Sequence, residues 1–141
     1  MVRRDTATGL VLERMIIPSL DYAGYQYELH VNIGKRFGGG KHIIDVVAVT
    51  PQKEKILISL KWQQVSGTAE QKVPFEAMCL AEAISNNRHI YKKAYLVLGG
   101  SGWKLRDFFV NGGLERHLSY SNLVDIITFE DFIAKANRNE L

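Results

Sequence analysis

The chain has one cysteine, three prolines and no apolar run that approaches the roughly 20 residues of a membrane-spanning helix. A lone cysteine, Cys79, cannot close an intramolecular disulfide, which agrees with a reducing compartment. The first residues also lack the apolar core of a signal peptide. The sequence therefore predicts a cytoplasmic protein with no membrane partner.

Charge of neither sign dominates the chain. Eighteen Lys and Arg residues oppose fifteen Asp and Glu residues, for a net charge of +3. A mildly basic protein can bind nucleic acid but need not. The length of 141 residues fits one domain, and no linker, repeat or low-complexity tract divides it. We therefore expect a single domain over 1–141.

Hydrophobic periodicity predicts an α/β (α+β) domain. Cap-type residues followed by Leu12, Met15, Ile16 and Leu20 at helical spacing predict a first helix over 5–24, which Pro18 should bend or end. The first predicted strand alternates cleanly, with polar residues on one face. The later elements follow in the order βββαβ and then αβα. The first five lie at about 25–33, 42–50, 56–62, 70–86 and 94–100; two short helical pieces at 103–110 and 113–118, split by Gly112–Gly113, precede a strand at 123–129 and a helix at 129–138.

The three glycines before Lys41 suggest a phosphate-binding loop, but the sequence excludes the nucleotide-binding kind. That motif begins with Gly where this chain has Lys35, and it ends with Ser or Thr where this chain has His42. It also leads into a helix, whereas a β-branched strand follows here. The glycines instead predict a tight turn whose backbone can approach a partner closely.

The strand after this turn carries one carboxylate, Asp45, among β-branched residues. Burying a carboxylate is costly unless it is paired or binds a metal. On the next strand, alternation places Ser59, Lys61 and Gln63 on one face. A cross-strand ion pair between Asp45 and Lys61 is the simpler interpretation, but it leaves the other two polar residues unexplained. The pattern favours a polar cleft.

These residues resemble the PD-(D/E)XK nuclease superfamily, whose αβββαβ core carries an acid on the second strand and (D/E)-x-K on the third. Asp45 matches the acid, and Ser59-Leu60-Lys61 matches the third-strand motif with serine in place of its acid. The segment "RFGGGKHIIDVVAV" is similar to archaeal Holliday-junction resolvases, and small restriction and homing endonucleases share the core. Glu13 matches a glutamate that the family often places on the first helix.

The resemblance implies a restriction-endonuclease-like fold with a mixed central sheet, and a metal-dependent DNA endonuclease that hydrolyses phosphodiester bonds. It implies Mg²⁺ (or Mn²⁺) as cofactor and duplex or branched DNA as partner. The implied metal ligands are Glu13, Asp45 and the carbonyl of Leu60. The implied catalytic residues are Glu13, Asp45, Ser59, Lys61 and Gln63. The implied nucleic-acid-binding residues are Lys35, Arg36, Lys41 and His42.

Three hypotheses remain open at this point. The first is the active Mg²⁺-dependent DNA endonuclease, for which DNA substrates with two-fold symmetry favour a homodimer. Ser59 in place of an acid also permits a catalytically impaired nuclease fold that serves as a DNA-binding or assembly subunit. A sugar- or nucleotide-binding α/β protein without nuclease activity is the third possibility.

Overall fold

The computed structural model describes residues 6–141, and its first helical region has three consecutive segments. An α-helix α1 (Thr6–Val11) passes into a π-helical turn (Leu12–Ile16), and this passes into α2 (Ile17–Ala23). Pro18 does not end the helix, because it lies in the first turn of α2, where a missing N–H matters least. The predicted helix start at Asp5 lies outside the described residues.

Five strands form one mixed sheet in the order β1-β2-β3-β4-β5. β2 is antiparallel to both of its neighbours, β1 and β3, whereas β4 is parallel to β3 and β5 is parallel to β4. The strands are β1 (Gln26–Lys35), β2 (Lys41–Val49), β3 (Lys55–Trp62), β4 (Tyr91–Gly99) and β5 (Val124–Thr128). The remaining α-helices are α3 (Ala69–Asn86), α4 (Arg106–Val110) and α5 (Phe129–Asn137). The predicted αβββαβ core and the mixed sheet are confirmed.

Each face of the sheet carries its own hydrophobic core. On β3, Ile56 and Ile58 pack with the first helical region and α5, whereas Leu57 packs with α3. This is the period-2 alternation expected of a strand that is covered on both sides. The residues of β3 that share the face of Leu57 therefore point toward α3.

The alternation fails at one place on both β1 and β2. Val46 packs in the core on the α2 and α5 side, but Ile44, two residues earlier, packs in the core on the α3 side. Opposite this point His30 has a φ of +52°, and the β1–β2 register omits His30 and Asp45. The clean alternation predicted for the first strand is therefore wrong, because β1 and β2 both bend at the position of Asp45.

No helix within residues 6–141 is long and apolar enough to cross a membrane.

Candidate active site

Asp45 lies where β2 and β3 stop pairing. The ladder between the two strands runs from Val49 opposite Lys55 to Val46 opposite Ile58, and it ends there. Beyond it, the backbone N–H of Leu60 donates to Oδ2 of Asp45 at 2.7 Å. Where the hydrogen bonds between β2 and β3 end, the carboxylate of Asp45 thus takes the place of a backbone acceptor for β3.

The environment of Asp45 opposes its negative charge. Burial raises the pKa of this carboxyl, and the nearby charge of Glu76 raises it further. The N–H of Leu60 and the charges of Lys61 and His30 oppose the rise but do not cancel it. Asp45 is therefore a partly buried acid whose charge the protein compensates only in part.

Glu76, on α3, is a buried acid outside the set of residues predicted from the sequence. Its Oε2 lies 3.2 Å from Nε2 of His42 on β2. Burial alone would raise the pKa of Glu76, but hydrogen bonding to His42, the charge of Lys61 and the neighbouring Ser59 hydroxyl outweigh it, and the net pKa is lowered. These neighbours therefore favour the ionised form of Glu76 inside the protein.

Ser59 and Lys61 lie on the α3 face of β3, as alternation predicts. Ser59 is buried and Lys61 is half-buried. Both contribute to the low pKa of Glu76, and Lys61 also lowers the pKa of Asp45. The structure therefore brings together Asp45, Ser59 and Lys61 from the predicted set and adds Glu76 to them.

Gln63 does not join this group. Its side-chain amide donates to the carbonyl of Gly102 at 2.9 Å and approaches Glu70 at 3.4 Å, and its Oε1 accepts the N–H of Ala69 at 3.0 Å. These contacts tie the end of β3 to the start of α3 and to the loop after β4. The structure thus engages the buried side chain of Gln63 between these two segments and does not bring it together with Asp45 and Lys61; its catalytic role stays a prediction.

His42 is also placed differently from its prediction. Its side chain is 3% exposed and points toward Glu76, so it cannot contact DNA from the surface. The prediction of a nucleic-acid-binding role for His42 is therefore wrong.

Glu13 lies in the π-helical turn with an exposed side chain, between the buried Leu12 and Ile16. Among residues 6–141, no three His, Cys, Asp or Glu side chains converge closely enough to hold a metal ion. The structure therefore does not bring Glu13 together with Asp45 and Glu76 as a three-acid group.

The glycine-rich turn between β1 and β2 forms one wall of a cleft above these residues. Gly38 and Gly39 have φ values of +91° and +90°, a conformation that residues other than glycine rarely adopt. The turn closes with the N–H of Arg36 donating to the carbonyl of Gly40 at 2.9 Å. The cleft has a volume of about 440 Å³, within the usual range for ligand sites. Its side chains come from the turn, β3 and α3: Arg36, Phe37, Lys61, Lys72, Phe75 and Glu76.

Lys35, Arg36 and Lys41 are all exposed on this turn, as a role in binding phosphates requires. Arg36 lines the cleft itself.

One sequence signal could have identified Glu76. It lies three residues after Val73 and four before Leu80, both of which are fully buried on α3. This spacing puts its carboxylate on the apolar face of the helix. An acid on a buried helix face needs a partner, and the polar face of β3 supplied one.

Two solved structures resemble the chain at low sequence identity. A crystal structure of a protein of unknown function has 13% identity and a TM-score of 0.49, over 82% of this chain and 55% of the other. A repair endonuclease from Pyrococcus abyssi has 13% identity and a TM-score of 0.43, over 89% of this chain and 46% of the other. The chain thus spans about half the length of these structures. No curated protein matches its sequence.

A family model gives a direct assignment. The model of the PD-(D/E)XK nuclease superfamily domain matches residues 4–140. This range includes Asp45, Ser59, Lys61, Glu76 and the glycine-rich turn. The chain belongs to the PD-(D/E)XK nuclease superfamily.

Proposed function

We propose that the protein is a metal-dependent DNA endonuclease in which Glu76 takes the part of the acid that Ser59 lacks. One observation carries this proposal: Glu76 is buried beside Ser59 and Lys61, and its pKa is lowered. A side chain from α3 can thus supply a negative charge next to the position that serine occupies on β3. The site then has two acids and one lysine.

The residues present fit a hard divalent cation such as Mg²⁺ or Mn²⁺. Mg²⁺ sites commonly use one or two carboxylates, with waters and substrate phosphates as further ligands. Asp45 and Glu76 would be those carboxylates, and the carbonyl of Leu60 would be a further oxygen ligand. The only partly compensated charge of Asp45 supports this assignment, because a bound cation would stabilise it. When bound, such an ion polarises the phosphate and lowers the pKa of the attacking water.

Lys61 would act on the substrate from the same face of β3. Its ammonium group would stabilise the charge that develops on the phosphate or orient the attacking water. Lys35, Arg36 and Lys41 would hold backbone phosphates of the DNA, and binding would then depend strongly on salt. We further propose that the enzyme acts as a homodimer on DNA of two-fold symmetry.

A comparison of two conservative variants tests the proposal. Glu76→Gln and Glu13→Gln each remove one carboxylate and keep the size of the side chain. Cleavage of labelled duplex and branched DNA would be measured with Mg²⁺, with Mn²⁺ and with EDTA, beside Lys61→Ala. We expect Glu76→Gln and Lys61→Ala to lose cleavage by about 10²–10³-fold, and Glu13→Gln to retain most of it.

Loss of cleavage in Glu13→Gln but not in Glu76→Gln would show that Glu13 supplies the negative charge that Ser59 lacks. DNA binding without cleavage under every metal condition would instead support the impaired subunit, for which Ser59 is the motivating residue. Size-exclusion chromatography with light scattering would give the oligomeric state.

A further inference from the structure

Two aromatic rings line the cleft above the proposed site. Phe37 extends from the glycine-rich turn and is 44% exposed, and Phe75 extends from α3 and is 40% exposed. They come from different elements and bound the same space as Lys61 and Glu76. Large exposed apolar side chains grouped in one cleft indicate a binding surface more often than isolated ones do.

The charges in this cleft identify the kind of ligand. Arg36, Lys61 and Lys72 bring three cations, and Glu76 brings one carboxylate. A ligand that suits the cleft therefore has negative charge together with flat apolar faces. A nucleotide has both, since its phosphate is anionic and its base has two π-faces.

We propose that Phe37 and Phe75 bind an unpaired base, so that the cleft accepts single-stranded DNA or the unpaired part of a branched DNA. This inference rests on the proposed nuclease function and names its substrate class. In an intact duplex the grooves present only base edges, because the base faces are stacked on one another. A phenylalanine ring can stack face to face only on a base whose own face is open, as it is in single-stranded or unpaired DNA.

The test separates base contact from phosphate contact. Fluorescence anisotropy in EDTA would compare three labelled DNAs: an oligothymidylate, a chain of abasic deoxyribose phosphates of equal length, and a blunt duplex. The wild-type protein should bind the thymidylate more tightly than the abasic chain, which carries the same charge without bases. Tyr22→Leu is the matched control, since Tyr22 is 81% exposed on α2, on the other side of the sheet.

Phe37→Leu and Phe75→Leu keep an apolar side chain but remove the ring. Each should weaken thymidylate binding on the order of 5- to 150-fold and leave abasic and duplex binding within about twofold. Phe37→Tyr and Phe75→Tyr should retain the preference, because tyrosine also stacks. Thermal unfolding of every variant would confirm that it is folded.

Equal affinity of the wild-type protein for the thymidylate and abasic chains would overturn the inference. So would an equal loss of affinity on all three DNAs in the leucine variants. If the wild-type protein cleaves DNA with Mg²⁺ but the leucine variants keep their thymidylate preference, the base site is wrong and the nuclease function stands. If the preference depends on the two rings but no metal supports cleavage, the base site stands and the proposed hydrolysis is wrong.

Discussion

Nε2 of His42 lies 3.2 Å from Oε2 of Glu76, and this contact joins β2 to α3 in the interior. The two side chains are almost inaccessible to solvent, at 3% and 7% exposure. His42 is also three residues before Asp45 on the same strand. One strand therefore carries one acid of the proposed site and the histidine that contacts the other.

The His42–Glu76 contact predicts that His42 is a positioning residue. His42→Ala should raise the Mg²⁺ concentration for half-maximal cleavage by about 10–100-fold, because the carboxylate of Glu76 would lose the group that fixes its orientation. Cleavage rates over a Mg²⁺ titration measure this shift, with the exposed His89→Ala as the control. His42→Gln, which can still donate to the carboxylate, should recover part of the affinity. An unchanged Mg²⁺ requirement with a lower Tm would mean that His42 only stabilises the fold.

Asp45 and Glu76 should affect stability with opposite signs. Burial raises the pKa of Asp45, so the folded protein holds this proton more tightly than the unfolded chain does. Its ionisation thus favours unfolding, and the free energy of unfolding falls as the pH rises from the unfolded-state pKa through the raised folded pKa. Asp45→Asn, which keeps an oxygen for the N–H of Leu60, should therefore raise the Tm of the metal-free protein near neutral pH.

The lowered pKa of Glu76 gives the reverse effect. Burial pushes this pKa up, but His42, Lys61 and Ser59 more than offset it, so the charged form stabilises the folded state above the unfolded-state pKa. That stability is lost as the pH falls through the folded pKa. Glu76→Gln should lower the Tm near neutral pH. The Tm differences of Asp45→Asn and of Glu76→Gln from the wild-type protein should both shrink at about pH 4. Melting curves in EDTA at both pH values check this, and shifts of the same sign for the two variants would contradict it.

On β3, period 2 is enough to place Ser59 and Lys61 on one face, because local spacing decides which face the residues of a regular strand share. Asp45 lies where the alternation of β2 fails, and it is predicted as the one carboxylate in a β-branched run. Glu76 comes from α3, and its position depends on how that helix packs across the sheet. Nothing in the local sequence around Ser59 indicates which later helix covers it.

The bend at Asp45 and the burial of His42 and Gln63 also depend on packing between distant parts of the chain, so local spacing does not predict them. Alternation assumes a regular strand, and it places a polar residue on a face without telling whether that face is open to solvent or covered. Gln63 has the same face assignment as Lys61, but the start of α3 and the loop after β4 close over it. His42 was predicted beside exposed basic residues, but β2 turns it toward α3.

The contacts of Gln63 predict a structural role that can be measured. Gln63→Ala should lower the free energy of unfolding by about 1–3 kcal/mol, because the carbonyl of Gly102 and the N–H of Ala69 lose their buried partner. Gln64→Ala, at the next and exposed position, is the matched control and should change little. Urea unfolding gives both values. A Gln63→Ala protein of normal stability that no longer cleaves DNA would support the predicted catalytic role instead.

The basic residues of the glycine-rich turn predict a measurable salt dependence. Each Lys or Arg that neutralises a phosphate releases condensed counterions, so log affinity falls with log salt by about 0.9 per contact on duplex DNA. Lys35→Ala, Arg36→Ala and Lys41→Ala should each reduce this slope by about that amount and weaken binding similarly for all sequences.

Lys92→Ala is the control for these three variants. Lys92 pairs with Glu54 at 3.0 Å and lies near the start of β4, whereas Lys61 lies opposite the end of that strand. Its loss should leave the slope unchanged. Anisotropy titrations in EDTA over a range of NaCl concentrations give the slopes. If the turn variants keep the wild-type slope, the turn does not hold phosphates, and its glycines serve only to close the β1–β2 hairpin over the cleft.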